Sequence, residues 1–155
     1  MFTPIEMRVS IRRAESTTLA VHRGVIRRAA LGPLLRRCGE MLAVGPRVSL
    51  AIRLTDDEEM RELNLRFLGV DAPTDVIAFP ADEPGRAGDI AISVERAVAQ
   101  DDGDGAAELR LLAVHGLLHC LGHDHAGADD AAAMTAATRT LLTDQPVPDL
   151  AATPD

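Results

Sequence analysis

The pattern of apolar and polar residues predicts four short strands within the first 93 residues. Every second side chain is apolar in residues 5–12, which is typical of a strand with one buried face. Residues 48–54 alternate in the same way, whereas residues 75–80 and 89–93 are short runs rich in β-branched side chains. The apolar positions expected on the buried face of the first strand are Ile5, Met7, Val9 and Ile11.

Apolar residues that recur every three or four positions predict helices between and after these strands. The first such pattern covers residues 17–44, and Gly32 and Pro33 are expected to kink this helix or to split it in two. A capping box with Thr55 as N-cap begins the next helix, which ends near Phe67. Three further helices are predicted over residues 94–100, 106–121 and 128–142.

This order of elements predicts an α+β fold in which about five helices cover a single four-stranded mixed sheet. Residues 1–143 are expected to form one domain, because 155 residues are enough for a single hydrophobic core. Residues 144–155 are Pro-rich and lack periodicity, so we predict a disordered C-terminal tail. The chain has no signal-peptide pattern and no apolar run of membrane-spanning length, so a soluble cytoplasmic protein without membrane association is expected.

Charge is distributed unevenly along the chain. The net charge is −8, yet residues 1–53 carry ten arginines against three glutamates, a balance of +7. Residues 54–155 carry six arginines against 21 acidic side chains, a balance of −15. The basic first third fits either a solvated helix face or a nucleic-acid contact surface. The two cysteines, Cys38 and Cys120, are too few for a disulfide framework of the secreted type.

Four of the five histidines lie in residues 115–125, and three of them have the spacing of metal ligands. His115 and His119 stand one helical turn apart, so both imidazoles project from the same helix face. Gly122 is placed to end that helix in a left-handed conformation, which allows His125 to return over the same face. The HxxxHxxGxxH spacing is that of metzincin zinc peptidases. We therefore predict one metal site with these three histidines as ligands.

The neighbouring residues leave the chemistry of this site open. Gly116 stands where HExxH hydrolases place the glutamate that acts as general base, so no general base is evident. His123 is either a fourth ligand or a substrate contact, and Asp124 either orients a ligand imidazole or fixes the turn. Cys120 is expected to face the core. A three-histidine site with an open coordination position still supports hydrolysis.

The histidine run resembles the HGxLHxxGxDH signature of the YbeY family of bacterial rRNA-maturation factors. The resemblance extends over about residues 55–142, and the matching stretches occur in the order and spacing of the family. The further matches are residues 73–80 with PTDVLSFP, residues 88–93 with GDIxIS, and Leu63 and Asn64 with the family's LN pair. On these residues the chain is identified as a member of that family.

The resemblance implies a single-strand-specific, metal-dependent endoribonuclease that acts in maturation of the 16S rRNA 3′ end and in late ribosome quality control. It implies one Zn²⁺ per chain, held by His115, His119 and His125. The implied partners are single-stranded rRNA precursor and the ribosome, through a ribosomal protein or assembly factor, with no role for DNA. Many relatives have an arginine that lines the active-site groove where this chain has Leu68. Either a neighbour such as Arg66 makes the phosphate contact instead, or this chain contacts phosphate in a different way.

Two other functions stay open from the sequence. The ligand spacing also fits a zinc peptidase or another small hydrolase, although Gly116 argues against a peptidase. A non-enzymatic ribosome-assembly factor would use a zinc ion that only holds the helix to its following loop.

Overall fold

The structure is a computed structural model that describes residues 7–152. Residues 5 and 6 of the predicted first strand and residues 153–155 of the predicted tail lie outside this range. The strands are β1 (Arg8–Arg13), β2 (Ser49–Thr55), β3 (Val76–Pro80) and β4 (Arg86–Ser93). The helices of the described part are α1 (Thr17–Ala20), α2 (Arg23–Ala29), α3 (Leu31–Met41), α4 (Asp57–Leu68), α5 (Val94–Gln100), α6 (Ala106–Cys120) and α7 (Ala128–Leu141).

The four strands form one mixed sheet in the order β1-β2-β4-β3. Strands β1, β2 and β4 are parallel, whereas β3 is antiparallel to β4 and lies at one edge of the sheet. Parallel neighbours need crossover connections, which α1 to α3 supply between β1 and β2. The predicted α+β fold with a four-stranded mixed sheet is therefore confirmed.

Helix α6 is the centre of the core. It packs against β3, β4, α2, α3, α5 and α7. Its apolar residues are buried around most of its circumference, as is typical of a helix enclosed by other elements. On the sheet, Leu50, Ile52 and Leu54 of β2 and Ile90 and Ile92 of β4 are buried in the same cluster. The buried residues of α6 are Leu109, Leu112, Ala113, Val114, Gly116, Leu117 and Leu118.

The prediction of a fully buried face on the first strand is wrong at its C-terminal half. Met7 is buried and Val9 is partly buried against the core, but Ile11 is 37% exposed. Strand β1 pairs only with β2 and forms an edge of the sheet, so less of its surface is covered than in a central strand. Ile5 lies outside the described residues.

The predicted helix over residues 17–44 is three helices, which raises the count from about five to seven in the described part. The chain turns at Val21 and His22, and Ala30 has a left-handed φ of 48° between α2 and α3. The expected break at Gly32 and Pro33 is wrong, because both residues lie in the first turn of α3. A proline there removes no helical hydrogen bond, since the first N–H groups of a helix have no partner within it.

The N-cap of α4 is Asp56 and not Thr55, which is the last residue of β2. The Asp56 carboxylate accepts a hydrogen bond from the Glu59 N–H at 3.0 Å and another from the Ser16 hydroxyl at 2.6 Å. The sequence contains the capping pattern in two overlapping registers, Thr55 with Glu58 and Asp56 with Glu59. Pairing of Thr55 with Ser93 in the sheet selects the second register.

The segment that follows α7 has no helix or strand over residues 143–152, yet it lies against the domain. The Gln145 side chain donates to the Ala107 carbonyl at 2.7 Å, and the Leu150 N–H donates to the Thr135 hydroxyl at 3.0 Å. Arg139 donates to the Val147 carbonyl. The domain boundary at residue 143 stays a prediction. Within residues 7–152, no helix combines the length and apolar character required to cross a bilayer.

We expect Asp56→Ala to lower the free energy of unfolding by about 0.5–2 kcal/mol, because α4 loses its cap. Urea unfolding measures the change, and Glu58→Gln, at an exposed site in the same turn, is the control. The bonds from Glu59 and Ser16 hold the pKa of Asp56 below its usual 3.8. The stabilisation is therefore full above that pH and is lost as the pH falls through the lower folded-state pKa. An equal loss in the control variant would contradict the assignment.

Candidate metal centre

Three histidines converge from α6 and the loop that follows it. His115 and His119 project from consecutive turns of α6, and their Nε2 atoms lie 3.0 Å apart. His125 approaches from the loop, with its ring centroid 5.5 Å from that of His115 and 5.3 Å from that of His119. One ring nitrogen from each residue lies within 4.8 Å of the others. The structure thus brings together the three residues that the sequence predicts as ligands.

The end of α6 determines where His125 lies. Gly122 has a left-handed φ of 99°, a conformation that glycine adopts without strain. Its N–H donates to the His119 carbonyl at 3.0 Å, and the His123 N–H donates to the Leu118 carbonyl at 2.9 Å. This pair of bonds is a Schellman motif, which reverses the chain direction after the helix. The chain reversal carries the loop back toward the His-bearing face of α6.

Asp124 supports the turn. Its carboxylate accepts the N–H of His125 at 2.7 Å, which is the turn-fixing alternative of the two that the sequence leaves open. His123 lines the same cavity as the three histidines but is not part of their convergent group.

The electrostatics of the site suit a cation. Burial, together with the proximity of His119 and His125, lowers the pKa of His115 to about 4. Burial and the nearby His125 also lower the pKa of His119. A histidine binds metal through the lone pair of its neutral imidazole. At neutral pH these two residues therefore present lone pairs to a common point, and a donor set of three imidazole nitrogens fits Zn²⁺.

The three histidines line a cavity of about 800 Å³ between β3, α6, α7 and residues 147–150. Among the described residues its lining includes no arginine, although Leu68 is part of it. Arg66 lies outside the cavity, with its guanidinium carbon 5.3 Å from the centre of the Phe67 ring. Its role as a phosphate contact stays a prediction. The acidic residues of the lining are Asp75, Glu108, Asp124 and Asp149.

A polar group at one end of the cavity was not identified from the sequence. The Gln100 side-chain amide donates to Asp75 at 3.2 Å and to Glu108 at 3.1 Å. Burial raises the pKa of Glu108. Glu108 precedes His115 by seven residues, two turns of helix, so the helical period alone places both on one face of α6. The seven-residue spacing was the signal by which the sequence could have indicated Glu108. The approach of Gln100 and Asp75 depends instead on the packing of α5 and β3 against α6.

Gly116 is required by close packing and leaves no room for a catalytic glutamate. A Cβ atom at this position would lie 2.7 Å from Cγ2 of Ile90 on β4. Any larger side chain would push α6 away from the sheet, so a general base cannot stand after the first histidine here. Cys120 also packs against the sheet, and burial raises the pKa of its thiol to about 11. This agrees with the expected packing role and argues against a thiolate ligand.

Comparison with known proteins gives a consistent result. The family model described as Endoribonuclease YbeY matches residues 17–145. A protein named Endoribonuclease YbeY from Gloeobacter violaceus is 47% identical over 108 residues, which cover 61% of this chain and 56% of that protein. One from Chloroflexus aggregans with the same name is 41% identical over 140 residues, which cover 81% and 88% of the two chains.

A solution structure of a Thermotoga maritima protein has a similar fold. It aligns with a TM-score of 0.50 and 23% identity, and the alignment covers 88% of this chain and 90% of that one. At this identity the likeness supports the fold alone. The alignment of the Gloeobacter relative spans little more than half of that relative's length.

We expect His115→Ala, His119→Ala and His125→Ala each to reduce zinc binding by at least about tenfold, because each removes one of three convergent ligands. Equilibrium dialysis against Zn²⁺ followed by metal analysis measures the change. His123→Ala is the matched control, since this residue lines the cavity outside the ligand group. Equal zinc loss in all four variants would argue against a three-histidine site.

Proposed function

The chain belongs to the YbeY family of endoribonucleases, and on this premise we propose that it is a metal-dependent, single-strand-specific endoribonuclease. In this proposal His115, His119 and His125 hold one Zn²⁺ per chain. The observation that carries it is the convergence of three ring nitrogens within 4.8 Å on the wall of a large cavity. In catalytic zinc sites three protein ligands leave a coordination position for substrate or water.

The size of the cavity supports a single-stranded substrate. A volume of about 800 Å³ is typical of a small-ligand site, which suits unstacked nucleotides better than a duplex. When bound, Zn²⁺ would supply Lewis acidity at a phosphodiester oxygen. The histidines orient that chemistry, while the apolar residues of β3 and of residues 147–150 form the cavity walls.

In this proposal the Glu108 carboxyl group contacts a nucleotide beside the scissile phosphate. Seven residues of helix separate it from His115, which is about 10 Å along the axis. At that distance a carboxyl group reaches a neighbouring nucleotide and not the reacting phosphorus. Gln100 holds the Glu108 side chain in place.

Identification of the cleaved ends distinguishes attack by water, which leaves a 5′-phosphate, from attack by the 2′-OH, which leaves a 2′,3′-cyclic phosphate.

Phosphate contacts outside the cavity are proposed for the basic first third of the chain. Arg13, Arg23 and Arg27 line a concave surface together with Ile26. Within residues 7–152 none of these three guanidinium groups has an ion-pair partner. Unpaired arginines bind the phosphates of RNA without losing an existing interaction. They would offset the repulsion between RNA and the acidic cavity lining.

The finer biological assignment rests on the family resemblance. We propose that the substrate is the 3′ end of the 16S rRNA precursor, and that the protein also acts in late ribosome quality control in the cytoplasm. Its partner would be the ribosome, through a ribosomal protein or an assembly factor. The net charge of −8 supports a need for such a partner, because it opposes tight binding to naked RNA.

Two alternatives predict different results. A peptidase would digest casein in a chelator-sensitive manner, although the packing of Gly116 argues against it. An assembly factor with a structural zinc would unfold when the metal is removed, since the ion would join α6 to its loop. Thermal melting with and without chelator distinguishes this function from catalysis.

We expect the wild-type protein loaded with zinc to cleave single-stranded RNA and His119→Ala to lose roughly 100-fold or more of this activity. Loss of one active-site electrostatic stabiliser typically costs about 10²–10³ in rate. His123→Ala, purified identically, is the control for contaminating nuclease, and it should keep zinc and measurable cleavage. Equal cleavage by wild type and His119→Ala would overturn the proposed activity.

For the arginine surface we expect Arg23→Gln to reduce the salt dependence of RNA binding. Each phosphate contact on single strands contributes about 0.7 to the slope of log K against log salt, so the slope should fall by about that amount. Fluorescence anisotropy with labelled single-stranded RNA measures it. Arg61→Gln is the control, because Arg61 is already paired with Asp71 at 2.6 Å. An unchanged slope for Arg23→Gln would remove this surface from the proposal.

A further inference from the structure

Exposed apolar side chains are concentrated at the C-terminal end of α4. Eight large hydrophobic residues of the described part are exposed, and four of them fall within residues 65–70, which we call the α4 tip. Single exposed apolar residues are common, but a concentration of them marks an interaction site. The four residues and their exposed fractions are Leu65 (50%), Phe67 (54%), Leu68 (60%) and Val70 (49%).

Phe67 is an exposed ring that its neighbours hold in place. It packs edge to face on Phe79 of β3, with ring centroids 5.2 Å apart and an interplanar angle of 67°. The Arg66 guanidinium lies over the ring, 5.3 Å from its centroid. The whole chain has only three phenylalanines and neither tryptophan nor tyrosine. An aromatic side chain with more than half of its surface exposed is therefore notable here.

The α4 tip lies at the mouth of the histidine cavity. Leu68 lines the cavity, and Phe67 is the preceding residue, so their Cα atoms are about 3.8 Å apart. Residues Val76 to Ala78 and Pro80 of β3 line the cavity, whereas Phe79 packs against the cluster of Met60 and Ala91, beneath α4. Because β3 is an edge strand, a nucleic acid that leaves the cavity past Leu68 passes around this edge to reach Phe67.

We propose that the Phe67 ring stacks a nucleobase of the RNA strand just outside the cavity, while the Arg66 guanidinium contacts the phosphate of the same nucleotide. This inference rests on the proposed endoribonuclease function. Aromatic side chains beside a guanidinium are the usual elements of sequence-tolerant binding to single strands. The stacked base would hold the strand in register with the histidines.

A base that stacks on the Phe67 ring binds the ring more strongly than the Arg66 guanidinium does. An exposed cation–π contact is worth about two- to fivefold in an equilibrium constant. Stacking of a base on an aromatic side chain is worth about five- to 150-fold in affinity. An incoming base therefore displaces the Arg66 guanidinium from the ring, which frees the guanidinium for a phosphate. This displacement explains how Arg66, which does not line the cavity, takes part in RNA binding.

RNA fits the α4 tip better than a protein partner does. A protein docked over the four apolar residues would cover Leu68 and so would close the mouth of the cavity. A single strand that enters the cavity crosses the same surface and leaves it open. A charged guanidinium in the middle of the surface also matches a phosphate better than it matches the apolar face of a protein.

The absence of tryptophan from the sequence allows a direct test. Phe67→Trp places a single fluorophore at the proposed stacking position, and His119→Ala in the same protein prevents consumption of the RNA. We expect single-stranded oligo(A) to quench this tryptophan saturably, and an abasic strand of equal length to leave it unchanged. Met41→Trp, at another exposed position that is not part of the cavity lining, is the matched control. Unchanged emission of the residue at position 67 under saturating RNA would overturn the proposal.

A kinetic test separates this inference from the proposed function. Phe67→Ala should raise KM for single-stranded RNA by about five- to 150-fold with little change in kcat, because stacking binds substrate and transition state alike. Phe67→Tyr should restore KM, and Met41→Ala, at an exposed apolar position outside the α4 tip, should leave it within about twofold of wild type. Thermal melting of each variant excludes loss of folding through the lost contact with Phe79.

The outcomes are distinguishable. If wild type cleaves RNA while Phe67→Ala keeps its KM, the stacking site is wrong and the proposed activity stands. If wild type fails to cleave RNA but the tryptophan at position 67 is quenched by oligo(A), the stacking site stands and the proposed activity falls.

Discussion

The close approach of α6 to β4 at Gly116 is the constraint on which the rest of the structure depends. The space for a Cβ atom at this position is filled by the Ile90 side chain, so the helix lies nearer to the sheet than any residue larger than glycine would permit. With α6 held there, its leucines fill the core on the other sides and His115 and His119 stand in a fixed relation to β3. A ligand pair on a buried helix loses little freedom when an ion binds, because packing already holds its rotamers. The glycine therefore serves the site indirectly, through the position of the helix.

Attraction and repulsion toward an anionic substrate are divided between separate parts of the molecule. The cavity lining contributes four carboxylates and, within the described residues, no arginine. A cation held by the histidines is then the positive charge closest to the reacting phosphate in the proposed function. Arg13, Arg23 and Arg27 lie on another surface, beside β1 and α2, and in the proposed function they contact the substrate at a distance from the site.

The edge strand β3 connects the two parts of the proposed RNA path. Its other residues line the cavity, whereas its Phe79 packs edge to face on Phe67. On the opposite wall, residues 147–150 are held by the bond that Arg139 donates to the Val147 carbonyl and by the bond that the Leu150 N–H donates to the Thr135 hydroxyl. Both walls are formed by segments far apart in sequence. The shape of the site is therefore a property of the assembled domain, even though the three convergent histidines all lie within residues 115–125.

Interactions between residues close in sequence were the ones that the sequence by itself determined. The spacing of His115, His119 and His125 around Gly122 follows from the helical period and from the left-handed turn that glycine permits, and neither depends on distant contacts. The four strands and the helices after β4 follow from periodicity for the same reason. The tertiary structure decided those features that depend on contacts between residues far apart in the sequence. Ile11 is exposed because β1 lies at an edge, Asp56 caps α4 because the sheet recruits Thr55, and Gln100 joins Asp75 to Glu108 only after α5 packs against α6. Burial and long-range hydrogen bonds need both partners in place, and no local pattern specifies the second one.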